Sequence, residues 1–165
     1  MQLNHPLMPC LWFDDQAEQA ARFYCSVFPN SRINVVSHYP EAGQAVHHKP
    51  AGSVMVVAFE LAGQPFTAMN GGPNFTFDEA VSFQVLCDTQ GEIDYYWNAL
   101  TQDGGSEGPC GWLKDRFGLS WQVMPSHLPR MMSDPDARRP ARVMNAFMAM
   151  KKLDLAALER AFDGA

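Results

Sequence analysis

Residues 80–100 read AVSFQVLCDTQGEIDYYWNAL, and they decide the fold because they repeat an order already present near the N-terminus. Ala80 to Cys87 suits a strand, and Asp88 ends it. Thr89 and Glu92 then have capping-box spacing, the hydroxyl accepting from a free amide and the carboxylate reaching back. Ile93, Tyr96, Trp97 and Leu100 recur at helical spacing, which predicts a helix over about Gly91–Leu100.

The earlier copy begins with the apolar run LMPCLWF, Leu7 to Phe13, which also suits a strand ended by aspartate. Asp15 and Glu18 predict a capping box, and Ala17, Ala20, Ala21, Tyr24, Val27 and Phe28 predict a helix over about Gln16–Phe28. Arg32 to Tyr39 alternates like a strand with Ile33 and Val35 on one face, and Glu41 to Pro50 reads as a polar loop. Val54–Leu61 and Phe66–Asn70 read as strands around Ala62-Gly63-Gln64, with Pro65 where a missing donor is tolerated. The second copy continues with a glycine-rich turn over 103–108, a strand from Cys110 to Lys114, a turn through Arg116, and a strand from Leu119 to Pro125. From Leu128 onward the chain reads as helical, with Ser133 and Asp154 as caps and Val143, Ala146, Phe147 and Met150 as one stripe.

Both copies therefore read as strand, helix and three further strands. Two βαβββ modules, about 5–73 and 78–126, would each be too small to bury a sheet alone. Paired within a single domain spanning 1–165, they predict an α+β protein with a curved mixed or antiparallel sheet enclosing a cleft, followed by a C-terminal helical extension over about 128–163.

The composition excludes several classes. The 165 residues are 47 % hydrophobic and 18 % charged, with ample material for a core. A formal charge of −6 lacks the basic stripe that nucleic acid requires. No apolar run approaches the roughly 20 residues of a membrane span. Cys10, Cys25, Cys87 and Cys110 lie far apart with no CxxC, so neither zinc spacing nor a redox motif is present. A soluble, reduced, cytoplasmic protein is the expectation. Of the five histidines, His47 and His48 are adjacent and diverge in an extended chain, His5 and His127 sit near the ends of the fold, and His38 closes a strand.

The run LWFDDQAEQAARFYCSVFPNS, the loop MNGGP, the strand SFQV and the hairpin CGWLKDRFGLSWQ together resemble the PhnB-like family of the vicinal oxygen chelate (glyoxalase/bleomycin resistance/dioxygenase) superfamily. The resemblance spans roughly residues 5 to 163. Sequences of this type often carry the label 3-demethylubiquinone-9 3-methyltransferase, yet the chain has no GxG turn for a methyl donor of adenosylmethionine type. The resemblance implies metal-ligand positions on the first and last strands of each half. Carried over, they fall on Pro9, on Ser82, on Gln122 four residues after Gly118, and on Ala68 or Asn70. Proline and alanine cannot ligate, and no imidazole accompanies the neutral amides and hydroxyl. The expectation is no metal and no cofactor.

What remains on that face is Leu11, Phe13, Asn70, Ser82, Gln84, Trp112, Gln122 and Met124, an apolar surface with a few neutral polar groups. Asn70, Ser82, Gln84, Trp112 and Gln122 are the expected ligand-binding residues, and no catalytic residue is assigned. The reading is a metal-independent small-molecule-binding protein, with an uncharacterised glyoxalase-like enzyme as the alternative. A homodimer is expected, the apolar stripe Val143, Phe147 and Met150 being available for a partner subunit. Nucleic acid and membrane are not expected partners.

Overall fold

A computed structural model describes residues 7–165, so His5 and Pro6 lie outside the described residues. The chain falls into two compact units, Met1–Thr76 and Phe77–Ala165. The α+β architecture, the two modules and the C-terminal helices follow the sequence reading, and each module forms its own four-stranded mixed sheet.

The first unit contains β1 (Cys10–Phe13), α1 (Ala17–Val27), β2 (Arg32–His38), α2 (Gln44–His47), β3 (Val54–Leu61) and β4 (Gln64–Asn70). Its sheet order is β1-β4-β3-β2, with β1 parallel to β4 and the other pairs antiparallel. The second unit contains β5 (Ser82–Cys87), α3 (Gln90–Thr101), β6 (Ser106–Glu107), β7 (Trp112–Lys114) and β8 (Ser120–Pro125). Its order, β5-β8-β7-β6, repeats the first topology, with β5 parallel to β8. Helices α4 (Leu128–Met132), α5 (Arg138–Met148) and α6 (Leu155–Asp163) complete it.

The two module helices start by different means. Thr89 caps α3 with both halves of the expected capping box. At α1 the expected box is absent: Gln16 is the N-cap and makes no side-chain bond. Glu18 instead pairs with Arg22 one turn on, at 2.6 Å. The free Ala17 amide donates to Asn70 Oδ1 at 2.8 Å, so a strand end 53 residues away caps the helix.

Other local expectations change for physical reasons. A bulge separates Ile33, opposite Phe59, from Val35, opposite Ala58, so the two valine and isoleucine side chains do not share a face, and Val35 is exposed. The 41–50 segment is not wholly loop but holds the one-turn α2, begun and ended by left-handed residues Gly43 and His48. The β3–β4 turn needs positive φ at both Ala62 (48°) and Gly63 (83°), as in a type I′ turn. Residues 106–107, read as part of a turn, form the short β6 against β7.

Each sheet has one face packed on its module helix. Under α3, Ile93, Trp97 and Leu100 meet the side of the sheet bearing Val85, Leu113, Trp121 and Val123, all buried. Burial of each such large side chain contributes about 2 kcal/mol. Asp115, 2 % exposed, anchors the β7–β8 turn: Oδ1 accepts from the Phe117 and Leu119 amides, and Oδ2 from Trp121 Nε1 at 2.8 Å. The C-terminal helices have a core of Leu128, Met131, Val143, Leu153 and Leu158. Asp154 caps α6 as read, but Ser133 ends α4 and does not begin α5. Val143 is fully buried within this cluster, with Phe147 and Met150 packed on it, so much of the stripe expected to meet a partner is spent inside the chain.

Candidate functional site: the polar face of the second sheet

Strand alternation puts successive side chains on opposite faces, so the residues that α3 does not cover can be read directly from the register. They form three rows. Ser82, Ser120 and Lys114 stand side by side on β5, β8 and β7, with Ser106 beyond on β6. Gln84, Gln122 and Trp112 make the next row, and Leu86 beside Met124 the third.

A hydrogen-bond chain joins the polar side chains. Gln122 Nε2 donates to Ser82 Oγ at 2.7 Å, and Gln84 Nε2 donates to Gln122 Oε1 at 3.3 Å. The structure thus brings together Ser82, Gln84 and Gln122, with Trp112 directly opposite Gln122. Ser82 keeps its hydroxyl proton and Gln84 its amide oxygen for another partner. No carboxylate or imidazole belongs to the chain. Charges stand at its edge, where Lys114 Nζ meets Glu79 at 2.7 Å, and hydrogen bonding from that ammonium holds the Glu79 carboxyl below its ordinary range.

Two hollows flank this face. A larger one of about 510 Å³ is lined by Glu79, Ser106, Trp112, Lys114 and Ser120 among others. Ser120 is fully buried, its hydroxyl donating to the Asp78 carbonyl. A smaller one of about 290 Å³ begins at Gln84, Leu86 and Met124 and ends on α4 and α5. The Gln84-Gln122-Trp112 row has one end on each.

The first sheet differs from the sequence reading by one pleat. Leu11, Phe13, Ala68 and Asn70 occupy the helix-facing side, where Leu11, Phe13 and Ala68 are buried in the core. Asn70 is buried as well, with its oxygen on Ala17 N and its Nδ2 on the Val54 carbonyl at 3.1 Å. It holds α1 to the sheet in the first unit, while the other four predicted residues belong to the second unit. The uncovered side of the first sheet carries Cys10, Trp12, Val56, Ala58, Thr67 and Met69 instead. Trp12 lies flat on Gly71, where a Cβ would fall 2.0 Å from its ring, and its Nε1 donates to the Gly72 carbonyl at 2.8 Å. The MNGGP loop therefore needs glycine at 71 to admit the indole.

The donor set does not fit a divalent metal. Gln122 and Ser82, two of the positions carried over as ligands, bond each other, and the surrounding donors are neutral. Among the described residues no group of three or more His, Cys, Asp or Glu side chains is placed to hold an ion. His47 is engaged elsewhere: its Nδ1 accepts from the Lys49 amide at 3.0 Å and its ring leans at a tilt against Tyr39. Cys87 is no poised nucleophile, since burial, with Glu92 and Asp88 nearby, pushes its thiol up to about 12. Sequence reasoning missed Leu86 and the groove beyond it. The signal was present, because Leu86 follows Ser82 and Gln84 at period two.

The family model described as 3-demethylubiquinone-9 3-methyltransferase matches residues 5–124. The chain belongs to that family, the PhnB-like family. It is 34 % identical to the PhnB protein from Bacillus cereus, over 73 % of this chain and 99 % of that one, with a TM-score of 0.62. Protein PA1353 from Pseudomonas aeruginosa shares the fold at 19 % identity, covering 74 % of this chain and 98 % of that one, with a TM-score of 0.58. The fosfomycin resistance protein FosX from Mesorhizobium loti does so at 14 % identity, covering 81 % and 100 %, with a TM-score of 0.55. The likeness to these last two structures is one of fold alone. No curated protein matches the chain.

Proposed function

We propose that this PhnB-like protein binds an uncharged small molecule without a metal, on the polar face of its second sheet. The observation that carries the reading is the neutral chain Gln84–Gln122–Ser82 beside Trp112. An ionised glutamate at 122, with no cation, would face desolvation or take up a proton. Glutamine avoids both and both donates and accepts. Methyl transfer has no support in these residues, since no GxG turn is present. The same reading takes the protein as a cytoplasmic homodimer, which sedimentation at micromolar concentration tests.

After dialysis against zinc, nickel, manganese or iron, elemental analysis should find far less than one metal per chain. Gln122→Glu alone should create no tight site, because the neighbouring donors stay neutral. A ligand present at a hundred times its Kd should stabilise the fold by about 2.7 kcal/mol, read as a rise in Tm. Stoichiometric metal bound through Gln122 or Ser82 would overturn the proposal and favour a glyoxalase-like enzyme.

A further inference from the structure

The smaller hollow is built partly from chain beyond the residues that the family model matches. Leu128, Pro129 and Met132 on α4, with Met144 and Phe147 on α5, form its far wall, and all lie beyond residue 124. The near wall is Leu86 and Met124, the row next to Gln84 and Gln122 on the same sheet face. The wall is held in place by the chain after α5, which is stitched to the second module. The Cys110 and Gly111 amides donate to the Met150 and Lys151 carbonyls at 2.8 Å, and the Gln90 side chain bonds both Leu153 O and Leu155 N. Gly111 has positive φ, and a Cβ there would meet the Val123 carbonyl at 2.7 Å, so this seam is tightly closed.

The groove is therefore a supported wall, not a frayed tail. Its lining has no charged side chain, and its methionines supply adaptable apolar contact. Leu86 is 59 % exposed and Met144 45 % exposed, which leaves apolar surface to be covered. Gln84 belongs both to the groove and to the hydrogen-bond chain. Polar row and apolar groove are thus consecutive parts of one surface.

We infer that the C-terminal helices extend the binding face into an amphipathic site, whose ligand is an uncharged molecule with a hydrogen-bonding head at Gln84, Gln122 and Ser82 and a short apolar chain or ring in the groove against α4 and α5. The inference rests on the ligand-binding reading and names the ligand class. Gln84 Oε1 and the Ser82 hydroxyl select a head that both donates and accepts, while the lack of charge in row and groove disfavours an ionised one. The volume of about 290 Å³ suits a small apolar group.

The test is NMR of the full chain, following methionine methyls and glutamine side-chain amides, titrated with straight-chain primary amides from acetamide to octanamide. The Gln84 and Gln122 amides should shift with every member. The Met124, Met132 and Met144 methyls should shift only as the chain lengthens, with Kd tightening about fourfold per methylene until the groove is full. Met144→Glu, at a half-exposed position, should flatten that length dependence while the melting curve stays cooperative. Amides that shift with no length dependence, or with silent methionine methyls, would overturn the inference and leave the ligand-binding reading standing. Methyls that shift while both glutamine amides stay silent would show the groove acting alone and overturn it too. Silence of both sets would overturn the inference and the reading beneath it.

Discussion

The two modules share a strand order and differ in where they put their chemistry. In the first, Asn70 at the end of β4 turns toward α1 and is consumed in capping it. In the second, α3 is capped by its own Thr89 and Glu92, so the polar residues of β5 and β8 are left on the uncovered face. The uncovered face of the first sheet carries Trp12 clamped over the MNGGP loop and the Arg32–Glu60 ion pair, whereas that of the second carries the Gln84–Gln122–Ser82 hydrogen bonds, with Lys114 at their edge. The outer strand pairs differ as well: β2 and β3 have seven and eight residues, against two and three in β6 and β7, and the larger hollow opens beside the short pair. A repeated topology does not imply a repeated site. One module meets its helix-capping need locally, and its polar strand residues are thereby free for a ligand.

The comparison breaks first at Asn70. Asn70→Ala should remove a buried cap and a tie to Val54 together, costing about 3 kcal/mol in denaturant unfolding. A loss below about 1 kcal/mol would mean that α1 is held by packing alone. Thr89→Ala should cost about 1 kcal/mol, the ordinary value of a lost local cap.

A pH test concerns the thiol beneath the second sheet. Its folded value, about 12, lies above the ordinary 9.0, so its stabilising contribution is complete below pH 9 and fades as pH rises toward 12. Cys87→Ala should therefore flatten the alkaline fall in the unfolding midpoint relative to the parent protein. Parallel curves would show that the thiol is not shielded. The smallest effect is expected at Asp15→Ala, within about 0.5 kcal/mol of the parent. Its apparent capping partner Glu18 is turned to Arg22, and a loss near that of Thr89→Ala would restore the local box.

These differences also mark how far the sequence could be read. The α3 capping box, both module helices and the Asp154 cap were legible because each is a contact between residues a few positions apart. Ser82, Gln84, Trp112 and Gln122 were found on one face because a period of two carries over directly to a strand. Leu11 and Phe13, with Asn70 opposite Phe13 on β4, lie on the face opposite to the one the sequence predicts. A short apolar strand such as LMPCLWF has no alternation to show which side meets the helix. The bulge after Ile33 and the two-residue β6 were hidden likewise, since each exists only opposite a partner strand.

What the sequence determined by itself is the α+β class, the doubled strand-helix-strand order and the neutral amides and hydroxyl at Gln84, Gln122 and Ser82, all properties of local pattern and residue type. Only the tertiary structure decided which asparagine caps a helix 53 residues away. It alone decided that the Val143 stripe closes an internal core and that Gln84 joins the polar row to a groove built by the C-terminal helices. Each of these depends on which distant backbone satisfies a given amide or which distant side chain covers a given apolar surface. A linear pattern names the groups that need partners; the packed chain determines which partners they find.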